Sequence, residues 1–261
     1  MQKNVEIFWF SGTGNTLFMA QKAKEILDAK GYHCTLSPIT RTAVVQASAD
    51  TATGIVVPVA VQGTFPIVWN FLKNLPDGQG TEVFLVDTLE KYSGGIKGPV
   101  KKILKKKGYK PVGAVELLMP NFFMAKTEDA DKKQKIEKSV QQLSSFIDSL
   151  ETGTAEWEDI PLYSDIMSSF FRSKMLAKLW TKIFKKNIAG TCINCGTCVR
   201  ICPQDCTDVN SRHIDVKSDK CILCQRCMEY CPVNAIGMGN IPFIKNKLIS
   251  LSEMEHALGT R

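Results

Sequence analysis

The chain has 261 residues, of which 44% are hydrophobic and 23% are charged, as is typical of a folded globular protein rather than a disordered one. It has no apolar run long enough to span a bilayer, and Glu6 interrupts the start where a signal peptide would be apolar, so we expect a cytoplasmic location. The net charge of +7 raises the question of nucleic acid. Outside residues 165–186, however, the interleaved basic and aromatic residues typical of single-strand binding are missing, so no nucleic-acid partner is expected.

Strands and helices alternate over the first 150 residues. Short apolar or β-branched runs predict strands at Val5–Phe10, Tyr32–Leu36, Gly54–Val61, Glu82–Asp87 and Val112–Leu118. Helical spacing of apolar residues follows the first strand and recurs at Pro66–Leu75, Gly98–Lys107 and Asp129–Leu150. This alternation predicts an α/β fold with a doubly wound, five-stranded parallel sheet in the flavodoxin-like order 2-1-3-4-5. Ligands of such a sheet bind at the carboxyl ends of its strands.

The loop after the first strand has the composition of a phosphate site. It leads into a helix N-terminus, where main-chain N–H groups and the helix dipole attract an anion. Glycines that allow close approach alternate with neutral donors in Ser11, Gly12, Thr13, Gly14, Asn15 and Thr16. The loop has no Walker A lysine, and Leu17 stands where a dinucleotide loop has its third glycine. Neutral donors suit a mononucleotide monoester, and an ordinary polar turn is the alternative.

The cysteines mark a second domain. Eight of the ten lie in two copies of C-x2-C-x2-C-x3-C-P, and the copies are 29 residues apart. This is the spacing of bacterial ferredoxins with two 4Fe–4S clusters, in which the fourth cysteine of each run serves the other cluster. One cluster is therefore predicted to bind Cys192, Cys195, Cys198 and Cys231, and the other Cys221, Cys224, Cys227 and Cys202.

Zinc is the alternative metal for these cysteines. Zinc modules, however, pair their cysteines across a longer spacer instead of placing three in rapid succession, so the clusters are favoured. The two remaining cysteines are predicted to pack as small hydrophobic residues. Cys34 lies in a predicted strand, and Cys206 aligns with Ala235 in the second copy.

Four regions are predicted along the chain. Residues 1–155 form the sheet domain, 156–187 a linker with an amphipathic helix, 188–240 an α+β ferredoxin-like two-cluster domain, and 241–261 a tail. Residues 165–186 within the linker region are basic on one side and apolar on the other. Three interpretations of this helix stay open, which are packing between the domains, a peripheral membrane contact, and a dimer interface.

The sequence at Ser11–Thr16 resembles the phosphate loop of flavodoxins, which bind FMN. Together with the cysteine copies, residues 3–240 resemble the flavodoxin–ferredoxin fusions of anaerobic bacteria and archaea. The resemblance implies FMN and two 4Fe–4S clusters as cofactors. It also implies two loops beside the flavin ring, formed by Val59, Ala60, Gly63 and Phe65 and by Tyr92, Ser93, Gly94 and Gly95. Phe65 is the candidate for stacking on the flavin, and a core position is its alternative.

These cofactors predict an electron-transfer protein that links one-electron carriers to a redox partner. Such a protein needs no catalytic residue, and none is assigned. The alternative is an enzyme, a ferredoxin-fed FMN-dependent reductase of a small organic substrate, for which Tyr92 is the available proton donor. A regulatory iron–sulfur protein is a third class. The lysines within 101–107 are interpreted as a solvated helix face, or as a docking surface for an acidic redox protein such as a ferredoxin or an oxidoreductase.

Overall fold

A parallel sheet forms the centre of the N-terminal domain. The computed structural model describes residues 1–43, 45, 48, 50–60, 63–91, 95–120, 129–158, 186–210, 213–216, 220–238, 245 and 248–259. The sheet consists of β1 (Asn4–Trp9), β2 (His33–Pro38), β3 (Thr51–Pro58), β4 (Glu82–Leu89) and β5 (Lys110–Leu118). Its order is β2-β1-β3-β4-β5, and each neighbouring pair is parallel. The predicted flavodoxin-like order is therefore confirmed.

Helices cover both faces of the sheet. They are α1 (Asn15–Ala29), α2 (Pro66–Asn74), α3 (Lys97–Lys106) and α4 (Asp129–Thr152). Apolar residues of the sheet pack with α1 and α4 on one face and with α2 and α3 on the other. Both faces are thus buried, which explains why the strands read as apolar runs without alternation. Among the helices built from the described residues, none combines the length and hydropathy that crossing a bilayer requires.

Several element boundaries differ by up to three positions from those expected from the sequence. Strand β3 begins at Thr51, three positions before the predicted start, because Thr51–Thr53 pair with β1 despite their polar side chains. A residue just after position 155 also contacts the N-terminal domain. Trp157 is buried in the core beside α3, where its indole N–H donates to the Lys97 carbonyl at 3.2 Å.

Short elements make up the C-terminal domain. Strand β6 pairs antiparallel with β9, and β7 pairs antiparallel with β8. A final helix packs Met254 into the core of the N-terminal domain, and a Ser250–Glu253 capping box defines its start. The elements are β6 (Lys186–Ile188), α5 (Thr197–Arg200), β7 (Thr207–Asn210), β8 (His213–Val216), α6 (Arg226–Glu229), β9 (Ile236–Met238) and α7 (Leu251–Leu258).

The repeat seen in the sequence is also present in the backbone. Helices α5 and α6 occupy equivalent positions in the two copies. Left-handed residues also recur at equivalent positions, as the pairs Asn194 and Leu223, Gly196 and Gln225, and Asp205 and Asn234. Left-handed conformations are costly for residues other than glycine. Their exact recurrence therefore indicates that each cysteine run needs the same tight wrap of the main chain.

Candidate cofactor sites

One predicted cluster site is a cavity between the two cysteine copies. It is lined by Cys202 from the first copy and by Cys221, Cys224 and Cys227 from the second. The structure thus brings together the four residues that the crossed assignment gives to one 4Fe–4S cluster. The three from the second copy are buried, and Cys202 is half-buried. Four thiols from both copies around one cavity fit the ligand set of such a cluster. We call this the inner site.

Cys206 also reaches the inner site. Its Sγ lies 3.4 Å from Cys202 Sγ, and it lines the same cavity. The hydrogen bond from Cys206 lowers the pKa of Cys202 to about 5, whereas that bond and a second one to Cys221 raise the pKa of Cys206. The lowered pKa of Cys202 favours its thiolate, which is the form that binds metal. Cys206 is buried, as expected of a packing residue, but its sulfur is also within hydrogen-bond distance of Cys202.

The other four cysteines form what we call the outer site, in which Cys195 is exposed, Cys192 is half-buried, and Cys198 and Cys231 are buried. Cys198 and Cys231 share a small apolar cluster with Cys192 at its margin. Burial and the charges of Cys227, Cys195 and Cys192 raise the pKa of Cys198 to about 11. Cys195 is exposed, and its pKa is lowered by a hydrogen bond with the Thr197 hydroxyl. Solvent therefore reaches Cys195 most readily, whereas Cys198 and Cys231 are as buried as the three second-copy cysteines of the inner site.

Main-chain N–H groups donate to the fourth cysteine of each run. The amide of Cys206 lies 3.4 Å from Cys202 Sγ, and the amide of Ala235 lies 3.2 Å from Cys231 Sγ. These two donors occupy aligned positions in the repeat. Hydrogen bonds to cluster sulfurs are one way in which proteins set a reduction potential.

The loop Ser11–Thr16 has the geometry of a phosphate cradle. Helix α1 begins directly after Gly14, whose φ is 97°, and its first turn has neither a side-chain cap nor an acidic residue. Its first N–H groups therefore lack partners within the helix and suit an anion, so the loop fits a phosphate monoester such as that of FMN. Two hydrogen bonds hold the loop in place. Ser11 Oγ accepts from the Gly14 amide, and the Thr16 hydroxyl bonds the Thr88 hydroxyl at 2.8 Å. Asn15 donates to the Pro120 carbonyl.

The two loops assigned to the flavin ring are described in part. Val59 and Ala60 are half-buried, and two main-chain hydrogen bonds join Ala60 to Gly63. Phe65 is half-buried, and the centre of its ring lies 5.3 Å from that of Phe10. This contact favours a core position, which is the alternative to stacking on the flavin. Of the second loop, Gly95 is buried, and Tyr92, Ser93 and Gly94 lie outside the described residues. The helix predicted within residues 165–186 also lies outside them, apart from Lys186 in β6.

A buried carboxyl group lies near the carboxyl end of β4. Asp87 is fully buried, and neither of its carboxyl oxygens has a hydrogen-bond partner among the described residues. Burial, reinforced by Glu116 and opposed by Lys97, raises its pKa well above the ordinary value of 3.8. Lys97 is itself buried and bonds Glu158 at 3.0 Å. Asp87 therefore holds its proton well above pH 3.8.

Asp87→Asn should stabilise the protein at neutral pH. The unfolded carboxyl ionises near 3.8 while the folded one stays protonated, so wild-type stability falls as pH rises from 3.8 through the raised pKa. Asparagine cannot ionise, so the free energy of unfolding of the variant should lose this dependence on pH. At neutral pH it should exceed that of the wild type by about 1.4 kcal/mol for each unit by which folding raises the Asp87 pKa. Anaerobic urea unfolding between pH 5 and about 8 measures the free energy of unfolding as a function of pH. Asp50→Asn is the control, because Asp50 is exposed. Equal slopes in wild type and Asp87→Asn would contradict the assignment.

The main chain of the inner site touches the phosphate loop. A Cβ added at Gly12 would overlap the Cys224 carbonyl oxygen and lie 3.1 Å from its carbonyl carbon. A Cβ at Gly14 would lie 3.1 Å from Tyr230 Oη. Position 12 therefore needs glycine because the main chain of the second domain leaves no room for a side chain there. The sequence of the loop alone does not show this reason. Tyr230 and Thr88 are also contacts of the loop that the motif does not identify.

Comparison with known proteins supports the two-part organisation. Residues 191–238 match the family model of the 4Fe-4S dicluster domain. Among curated proteins, the chain is 40% identical over 47 residues to pyruvate synthase subunit PorD of Methanothermobacter marburgensis, covering 18% of this chain and 54% of that one. It is 33% identical over 64 residues to the archaeal-type glutamate synthase [NADPH] of Dehalococcoides mccartyi, covering 24% and 13%. The chain thus spans about half or less of the length of these relatives.

Among solved structures, the chain is similar to the flavodoxin of Megasphaera elsdenii, with 21% identity and a TM-score of 0.40, covering 53% of this chain and 98% of that one. A mutant flavodoxin of Pseudomonas aeruginosa gives 18% identity and a TM-score of 0.41, covering 57% and 99%. The sheet order, rather than these scores, identifies the fold. The protein therefore combines a doubly wound α/β domain with an iron–sulfur domain. Specifically, it joins a flavodoxin-like domain to a C-terminal 4Fe–4S dicluster domain.

Proposed function

We propose that this chain transfers electrons between FMN and two 4Fe–4S clusters, and so links one-electron carriers to a redox partner. The observation that carries the proposal is the contact between Gly12 and the Cys224 carbonyl. It makes a ligand of the inner cluster a neighbour of the loop that suits the FMN phosphate. Two cofactors held this way exchange electrons within one chain, without an encounter between two proteins.

The protein's part in this function is to set the distance between the cofactors, their reduction potentials and the access of partners to them. Each cluster exchanges single electrons, whereas FMN exchanges one or two, so the pair converts between the two modes. The chain supplies the thiolates, the N–H groups at their sulfurs, and the start of α1 for the phosphate. These roles need binding and positioning only, in agreement with the assignment of no catalytic residue.

The partner is proposed to be an acidic redox protein that approaches the outer site. Cys195 is exposed there, and the adjacent Ile193 is 61% exposed. A basic side chain lies beside it at Arg200, which donates to the Cys195 carbonyl at 3.0 Å and is exposed. An acidic partner would associate faster with such a surface and more slowly as salt is added.

Anaerobic purification followed by cofactor analysis tests this function. We expect one FMN and two four-iron clusters per chain, and we expect a reduced ferredoxin to reduce the clusters and then bleach the flavin absorbance. Mixing the reduced protein with small organic substrates distinguishes the carrier from the enzyme. Reoxidation by redox proteins alone supports a carrier, whereas turnover of a small molecule supports the reductase. A preparation without flavin would refute both.

A further inference from the structure

One buried side chain joins the phosphate loop to both cysteine copies. Arg226 lies between the ligands Cys224 and Cys227 and is 3% exposed. Its Nε and Nη2 donate to the Ser11 carbonyl oxygen at 3.1 and 2.6 Å, and its Nη1 donates to the Ile201 carbonyl oxygen at 3.1 Å. The guanidinium therefore fixes the flavodoxin-like domain, the first copy and the second copy relative to one another.

The charge of Arg226 also faces the inner site. Its guanidinium carbon lies 5.2 Å from the centre of the Phe10 ring, and the side chain lines the inner cavity. Its three hydrogen bonds go to neutral carbonyl oxygens, so compensation for the buried positive charge must come from elsewhere. Cys202, Cys224 and Cys227 line the same cavity, and as thiolate ligands of a bound cluster they would supply the compensating negative charge. A positive charge at this place favours an added electron on the inner cluster.

The outer site has an arginine in a different setting. Arg200 donates to the Cys195 carbonyl at 3.0 Å and pairs with Glu255 at 2.9 Å, and its side chain is 46% exposed. Its hydrogen bonds stay within the C-terminal part of the chain. Arg200 is therefore a matched comparison for Arg226, since both lie beside cluster ligands and only Arg226 bonds the phosphate loop.

We propose that the cluster at the inner site, held by Cys202, Cys221, Cys224 and Cys227, is the one that exchanges electrons with the flavin, and that Arg226 is the positioning residue that fixes it against the phosphate loop. The inference rests on the proposed function. With FMN and both clusters bound, the outer site would face the partner, and the inner-site ligands that Arg226 fixes against the phosphate loop would let electrons pass between the clusters and the flavin in either direction. Because Arg226 lines the inner cavity, its charge would raise the potential of the inner cluster more than that of the outer one.

Three variants of the anaerobic holoprotein test this inference, namely Arg226→Met, Arg226→Lys and Arg200→Met. In Arg226→Met, amide hydrogen exchange in residues 10–17 should become about tenfold faster or more, because the charge-assisted bonds to Ser11 are lost. The potential of one cluster should fall, and electron equilibration with the flavin should slow. Arg226→Lys should keep the wild-type cluster potential, since the charge remains. Its amide hydrogen exchange in residues 10–17 should still be faster, because lysine lacks the planar guanidinium that donates twice to Ser11. Arg200→Met should leave residues 10–17 unchanged.

The outcomes separate this inference from the proposed function. Wild-type exchange and wild-type potentials in Arg226→Met would overturn it, as would equal changes in Arg200→Met. Should Arg226→Met fail to fold, Arg226→Lys decides, and wild-type exchange in that variant would overturn the positioning role. A wild-type protein whose flavin and clusters never exchange electrons would refute the proposed function, while the exchange rates of residues 10–17 would still report the contact that Arg226 makes.

Discussion

Replacing Cys202 with alanine should abolish the cluster held by the second cysteine copy. Cys202 belongs to the first copy, but the structure places it in the cavity with Cys221, Cys224 and Cys227. Losing one thiolate should remove about half of the bound iron and sulfide, and with it much of the folding free energy that cluster binding supplies. Iron and sulfide analysis, with electron paramagnetic resonance of the reduced protein, measures the effect.

Cys206→Ala is the matched control for Cys202→Ala. The two sulfurs are 3.4 Å apart at the same cavity, but the position aligned with Cys206 in the other copy is Ala235. Both clusters should therefore remain in Cys206→Ala, with a changed potential for the inner cluster because a thiol donor to Cys202 is lost. Crossed ligation would be contradicted if Cys202→Ala removed the cluster of the first copy, or if Cys206→Ala removed either one.

Gly12→Ala should separate the two domains at the phosphate loop. The added methyl group would collide with the main-chain carbonyl of Cys224, which cannot turn aside as a side chain can. We expect a loss of about 1–3 kcal/mol or more in the free energy of unfolding, because overpacking a tight contact forces backbone shifts. The variant should also bind FMN more weakly, since residue 12 belongs to the phosphate loop. Anaerobic urea unfolding and flavin titration provide the two measurements.

Gly190→Ala provides the comparison for Gly12→Ala. Among the described residues, chain neighbours aside, no heavy atom lies within 4 Å of a Cβ added at Gly190, which is in the same C-terminal part of the chain as Cys224. Its stability and flavin affinity should match those of the wild type. If Gly12→Ala behaved like Gly190→Ala in both measurements, the contact between the domains would not exist as the structure places it.

The sheet could be predicted from the sequence because its strands are buried on both faces. In β1, Val5, Ile7 and Trp9 pack with α1 and α4. Phe8 packs on the opposite face, as does Phe10 just after the strand. Such strands are continuous apolar runs that alternate with helical patterns, and this combination restricts the topology to a doubly wound sheet. The ends were harder to predict. Thr51–Thr53 are polar yet extend β3, because strand pairing needs only their main chain.

The crossed cysteine groups are a prediction from the spacing, because in repeats of this type the fourth cysteine of each run serves the other cluster. Contacts between the domains were not predictable in this way. Arg226 and Ser11 are 215 positions apart, and a pattern within one motif carries no information about a partner in another. The contact of Gly12 with Cys224 was likewise not predictable, because the loop motif accounts for this glycine only by the close approach of a phosphate. Cys206 was expected to pack, and its hydrogen bond to Cys202 depends on a side-chain direction that alignment with Ala235 does not reveal.

An anaerobic redox titration followed by absorbance and electron paramagnetic resonance tests the central claim most directly. The account predicts one flavin and two four-iron clusters that titrate in the same chain, with electrons redistributing between flavin and clusters within each molecule after partial reduction. The rate of that redistribution should not depend on protein concentration. A flavin that equilibrates with the clusters only through collisions between molecules, or a protein without one of these cofactors, would contradict the account.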